Sequence, residues 1–287
     1  MDRLPRIRPE IVGPILMAGL LVLMAWRVAP QARTTLAPPS AVNAPTAPEH
    51  PVQPGLATST AMALSGEYLP GEDLDVISAE GLFPPGEKEA LAADLRQALA
   101  YVSQRFGSGP SGKITAYLGL EPSCGINGVA YTTKRVVQVY TCTSLPRARA
   151  VNIVAHELVH QLAQDRYGER HLHADLILLE GVATWGAGNY WLSGKPSFAT
   201  FVQPWVNSGS TLPLATSYVG RPISDMNTLY YEWASFVEFL IKRYGRERFD
   251  SLYISGDSAP GSADYQGIYG QSLDQLEAAW QAWVLAN

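Results

Sequence analysis

The pentapeptide His156-Glu157-Leu158-Val159-His160 constrains this chain more than any other feature. Two imidazoles four positions apart can meet one metal ion only if the backbone between them is helical, because positions i and i+4 share a face. The surrounding residues agree. Leu145, Val151, Ile153, Val154, Leu158 and Leu162 supply apolar positions across residues 146–165, and Pro146 suits the start of a helix. Glu157 stands beside both histidines, where its carboxylate can serve as general base on a water held by a metal. The whole chain has five histidines, so two in one HExxH frame make a specific signal. The bland alternative is a helix whose histidines only pack or face water.

A zinc site needs a third protein ligand and an open position. His171, His173, Asp175 and Glu180 follow the motif. The two histidines fall in the connection after Gly168-Glu169-Arg170, where solvated side chains are the rule. Glu180 lies inside the apolar run from Ala174 to Trp185, which reads as a second helix. An unpaired carboxylate buried there would cost several kcal/mol, and a metal ion would be its partner. Glu180 is therefore the first choice and Asp175 the second. Ala163 and Arg166 stand where the metzincin pattern needs glycine and histidine, which excludes that branch.

HELVH followed by Glu180-Gly181-Val182-Ala183-Thr184-Trp185 resembles the gluzincin clan of metallopeptidases, in particular its compact bacterial peptidase MA-like group, distantly similar to thermolysin and a family of zinc aminopeptidases. The segment Tyr230-Tyr231-Glu232-Trp233-Ala234-Ser235-Phe236, and the ending Tyr269-Gly270-Gln271-Ser272-Leu273 with Trp280, resemble that group's later helices. The resemblance spans residues 75–287. It implies one zinc ion held by His156, His160 and Glu180, with Glu157 as general base. It also implies Tyr230 as the phenol that stabilises the oxyanion, or Tyr231 if the helix register differs by one. Two departures stand out. Thr184 occupies the position where thermolysin-like sites carry an acid that orients a zinc-binding histidine. The glycine-rich segment Gly125-Ile126-Asn127-Gly128-Val129-Ala130-Tyr131 lacks the glutamate with which the aminopeptidases grip a free amine.

At the N-terminus, Arg3, Arg6 and Arg8 precede an uncharged apolar run from Ile11 to Trp26. Counting Val28 and Ala29, with Arg27 snorkelling, it reaches the ~20 residues of a membrane span. No good cleavage site follows, so residues 1–29 read as a signal anchor in preference to a cleaved signal peptide. The positive-inside bias then leaves the rest of the chain outside the cytoplasmic membrane. Residues 30–65 are rich in proline, alanine and threonine and read as a disordered tether. Residues 66–287 fit one domain.

Glu87 to Phe106 reads as a helix, Lys113 to Leu118 as a strand, and Ile126 to Tyr131 with Val136 to Thr141 as a hairpin turning near Thr133-Lys134. Cys124 and Cys142 flank that hairpin, and its folding sets them opposite each other; a disulfide is the expectation, with two free thiols as the alternative. The metal helix and the Glu180 helix follow, then a loop around residues 193–226 and two or three more helices. Strands first and helices later imply an α+β domain, a small mixed sheet followed by a mostly helical part; the family resemblance implies a zincin-like arrangement. With 26 acidic against 21 basic residues and no basic cluster beyond the N-terminal arginines, nucleic-acid binding is not expected. The sequence thus predicts a membrane-anchored, extracytoplasmic zinc peptidase with a peptide or protein substrate. The rival readings are a non-catalytic zinc- or peptide-binding module and a hydrolase of cell-wall amides.

Overall fold

The computed structural model describes residues 64–287. The expected anchor, and the tether up to residue 63, lie outside the described residues. Among those described, no helix is long and apolar enough to cross a membrane.

The domain is α+β: a five-stranded mixed sheet, then a mostly helical remainder. The strands are β1 (Glu67–Leu69), β2 (Leu74–Ser78), β3 (Ile114–Leu120), β4 (Asn127–Tyr131) and β5 (Val136–Thr141). Their order in the sheet is β1-β2-β3-β5-β4. β2, β3 and β5 run parallel, while β1 and β4 are antiparallel edge strands. Burial alternates along β3, with Ile114, Ala116 and Leu118 inside and Thr115 and Tyr117 half-buried, as a sheet covered on one face requires.

Two long helices cover that face. α1 (Glu87–Phe106) buries Leu91, Leu95, Leu99 and Val102, residues repeating at three and four positions. α2 (Arg147–Tyr167) packs on α1, β4 and β5. It starts after Pro146, whose fixed φ suits a helix entry. A 3-10 stretch, Gly168–His173, leads to α3 (Leu176–Ala187), which packs on α2. Short α4 (Asn189–Leu192) follows, then α5 (Phe198–Ser208) and α6 (Ile223–Tyr244). The chain closes with α7 (Arg246–Tyr253), α8 (Tyr265–Tyr269) and α9 (Leu273–Ala286). α6 packs along α3, and α5 and α9 pack on α6.

Three expectations need correction. The segment read as a loop contains α5, a full helix capped by Ser197, whose hydroxyl accepts the Thr200 N–H. Pro204 inside it is a local penalty for a helix, but Phe198, Ala199 and Val202 bury one face against α6 and α9 and hold it. Four helices, not two or three, follow that segment. β1 and β2 were not anticipated at all.

Cys124 and Cys142 form a disulfide, with Cα atoms 5.0 Å apart, just outside the two ends of the hairpin. The turn at its other end is the 3-10 stretch Thr132–Lys134.

Candidate metal centre

α2 is buried over the whole motif. His156, Glu157 and His160 are enclosed by neighbouring elements, as is Glu180 on α3. Nε2 of His156 lies 3.2 Å from Nε2 of His160 and 3.2 Å from Oε2 of Glu180. The third side, His160 Nε2 to Glu180 Oε2, is 3.7 Å. A tetrahedral metal about 2.0–2.1 Å from each ligand sets its ligands about 3.3–3.4 Å apart. The three atoms thus form the face of a tetrahedron sized for one ion. They are the one cluster of histidine, cysteine and acidic side chains among the described residues with that spacing.

The polar atoms left over support the same fit. Oε1 of Glu180 and both carboxylate oxygens of Glu157 are buried without a hydrogen bond of good geometry; the Tyr230 hydroxyl approaches Glu180, and the Ala130 N–H approaches Glu157, only as weak donors. Unpaired buried carboxylate oxygens are costly, and a cation with its accompanying water would satisfy them. Burial by itself would raise the Glu180 carboxyl, but hydrogen bonds and charge from His156 and His160 outweigh it and hold the group ionised, below the usual carboxylate range. Burial pushes the His156 imidazole down, toward the neutral form that ligates metals. Burial pushes Glu157 up to about 7, opposed by His160 and by the Ala130 backbone N–H and helped by the negative charge of Glu180.

Close backbone approaches position these groups. Gly128 on β4 faces α2. A Cβ there would fall 2.5 Å from Cγ2 of Ile153 and 2.7 Å from Oε1 of Glu157, so only glycine lets the edge strand lie over the motif. Gly181 does the same between helices: a Cβ there would meet the Trp233 carbonyl oxygen at 2.8 Å. The residue after Glu180 thereby lets α6 come in close enough to bring Tyr230 to the centre.

Tyr230 is buried, and its ring stacks on His156 with centroids 5.6 Å apart and planes at 24°. Its hydroxyl makes no hydrogen bond of good geometry and approaches only Glu180 and Tyr218. Tyr231 points elsewhere: its hydroxyl donates to the Trp191 carbonyl at 3.1 Å and its ring stacks on Phe201 at 4.1 Å. Of the two adjacent tyrosines, Tyr230 is the one at the centre.

The other downstream candidates lie apart from the triad. Asp175 caps α3 and is fully engaged, accepting from the backbone N–H groups of Ile177, Gly261 and Ala263 and from the Tyr265 hydroxyl. His173 is exposed. His171 is buried and its ring lies 5.6 Å from His160, but its Nδ1 pairs with the Tyr253 hydroxyl at 2.9 Å. Burial pushes His171 down to about 3, so it is neutral. Thr184 puts its hydroxyl 3.4 Å from Nδ1 of His156, filling with a neutral group the place where an acid was absent from the sequence.

Two neighbours were not foreseen. Trp191 covers His156, with centroids 5.2 Å apart, and Tyr218 lies 6.0 Å from the Tyr230 ring. Tyr218 falls in the segment read as a loop, and among the neighbouring apolar residues Leu212, Leu214 and Val219 nothing in the sequence marks it out.

No protein-family model matches this chain. No curated protein is similar to it in sequence.

Proposed function

We propose that this chain is a zinc-dependent peptidase with a gluzincin-type centre in a zincin-like domain, hydrolysing peptide bonds. The observation that carries the reading is the His156–His160–Glu180 triangle, with sides of 3.2, 3.2 and 3.7 Å, beside the buried carboxylate of Glu157. Nitrogen and carboxylate ligands in tetrahedral spacing favour zinc over magnesium or calcium, which prefer more oxygen donors.

Zinc bound there supplies Lewis acidity, acidifying water and polarising a carbonyl. The remaining work falls to the chain's own side chains. Glu157 takes a proton from the attacking water on a carboxylate oxygen and passes it to the nitrogen of the leaving amine. The Tyr230 hydroxyl donates to the substrate carbonyl oxygen as negative charge grows on it. Thr184 accepts the Nδ1 proton of His156, which leaves Nε2 free to ligate. An extended peptide adds to the open edge of β4, whose backbone passes directly over Glu157.

The proposed setting is outside the cytoplasmic membrane, with residues 11–29 as the anchor. The Cys124–Cys142 disulfide supports an oxidising compartment.

The test is elemental analysis of the purified domain followed by digestion of a peptide library. About one zinc per chain, with cleavage abolished by chelation and restored by zinc, is the expected result. Zinc without cleavage would favour a binding module, and cleavage of cell-wall fragments alone would favour an amidase.

A further inference from the structure

Residues 209–222 connect α5 to α6 and are strapped down at one end. The Leu212 N–H donates to the Glu232 carboxylate on α6 at 3.2 Å. The Leu214 N–H donates to Glu277 on α9 at 3.2 Å, and the Leu214 carbonyl accepts from Trp233 Nε1 at 2.9 Å. Beyond these anchors the loop turns Tyr218 inward and Val219 outward, 5% and 71% exposed respectively. The Tyr218 ring packs on Tyr230 and Trp233, both at 6.0 Å between centroids.

Its hydroxyl is buried and makes no hydrogen bond of good geometry, as is true of the Tyr230 hydroxyl and Oε1 of Glu180; the Tyr230 hydroxyl approaches it, and Glu180 approaches Tyr230, only as weak partners. Buried phenols almost always find a partner in the folded protein or in what it binds. Here two phenols without a strong partner in the fold come from different elements to one place, close enough to affect each other. Burial raises the Tyr218 pKa, and so does the negative charge of Glu180, which sits close enough to be felt. Tyr218 therefore keeps its proton and is a donor.

We propose that Tyr218 is a second phenolic donor of the centre, binding the carbonyl oxygen of a peptide substrate together with Tyr230. The inference rests on the peptidase reading above. Two donors converging on one oxygen hold it in place and stabilise charge on it better than either alone. The straps at Leu212 and Leu214 fix the loop, so that the donor is set before substrate arrives.

The test uses the zinc-loaded protein and its Tyr218→Phe, Tyr230→Phe and double variants. Kinetics on a cleaved peptide are paired with calorimetric binding of a phosphonamidate peptide, whose tetrahedral anion resembles the attacked carbonyl. Tyr218→Phe is expected to lower kcat about 100-fold with KM little changed. It is expected to weaken phosphonamidate binding by a similar factor, at unchanged zinc content and unchanged melting temperature. The double variant is expected to be slower than either single one. If Tyr218→Phe keeps kcat and phosphonamidate affinity within twofold of a wild type that cleaves, the second donor is overturned and the peptidase reading stands. A double variant no slower than Tyr230→Phe alone also overturns direct donation. A zinc-loaded wild type that neither cleaves peptides nor binds the phosphonamidate overturns both.

Discussion

Thr184 lies one helical turn beyond Glu180 and sets its hydroxyl 3.4 Å from Nδ1 of His156. A threonine there orients the ring without adding charge to it, so the histidine is a weaker base than one backed by a carboxylate. Thr184→Val keeps the volume and removes the partner. We expect zinc affinity to fall about tenfold, measured by competition with a chromophoric chelator. An unchanged affinity would mean that packing of Trp191 and Tyr230 against the ring orients it alone.

Glu157→Gln keeps the size of the side chain and removes its basicity. Neither carboxylate oxygen makes a hydrogen bond of good geometry, and the amide oxygen of glutamine can still accept from the Ala130 N–H that approaches the carboxylate. The variant should fold, hold its zinc and lose at least about 1,000-fold in kcat. Near-normal turnover in a pure preparation would refute the general-base role.

Asp175 and Glu180 are both buried acids on α3, and they should separate cleanly. Asp175→Ala strands four donors and should cost about 3 kcal/mol or more in chemical denaturation, with zinc content intact. Glu180→Ala should instead empty the centre. Zinc retained by the Glu180 variant, in elemental analysis, would place the third ligand elsewhere.

Burial raises Glu232 from 4.5 to about 8, opposed by the Leu212 N–H and assisted by nearby Glu277. The folded state therefore binds a proton that the unfolded state has released between those values. Stability from this group is fully present below pH 4.5, declines as pH rises to about 8, and is level above. Glu232→Gln carries no such proton, so the decline should be smaller in the variant when urea midpoints are compared across pH 4.5–8. Parallel profiles would show that Glu232 ionises freely.

Much of this domain is written locally. α1 ends at the residues its leucine spacing marks, and the two halves of the hairpin sit where alternating apolar residues put them. α2 and its motif were equally plain, because Val151, Val154, Leu158 and Leu162 fall at helical spacing there, although residues 153–163 prove buried on every side. β1 and β2 escaped notice because strands of three and five residues carry too few alternations, and β2 gains its place only by pairing in parallel with β3. α5 was hidden by Pro204, a local penalty that tertiary burial overrides. At the centre, residue types disclosed the three ligand candidates, whereas Tyr218 could not be found that way. Its inward turn depends on Glu232, Trp233 and Glu277, which no local pattern links to it.

The covalent bond between Cys124 and Cys142 turns residues 124–142 into a closed ring of chain around β4 and β5. A free hairpin can shift one strand past the other, and a shift of a single residue reverses the faces. In this hairpin, such slippage would swing Asn127 or Val129 into the spot beside Glu157 where only Gly128 fits. The bond is then a registration pin, and the compartment that oxidises the chain is also the one that sets its sheet edge true.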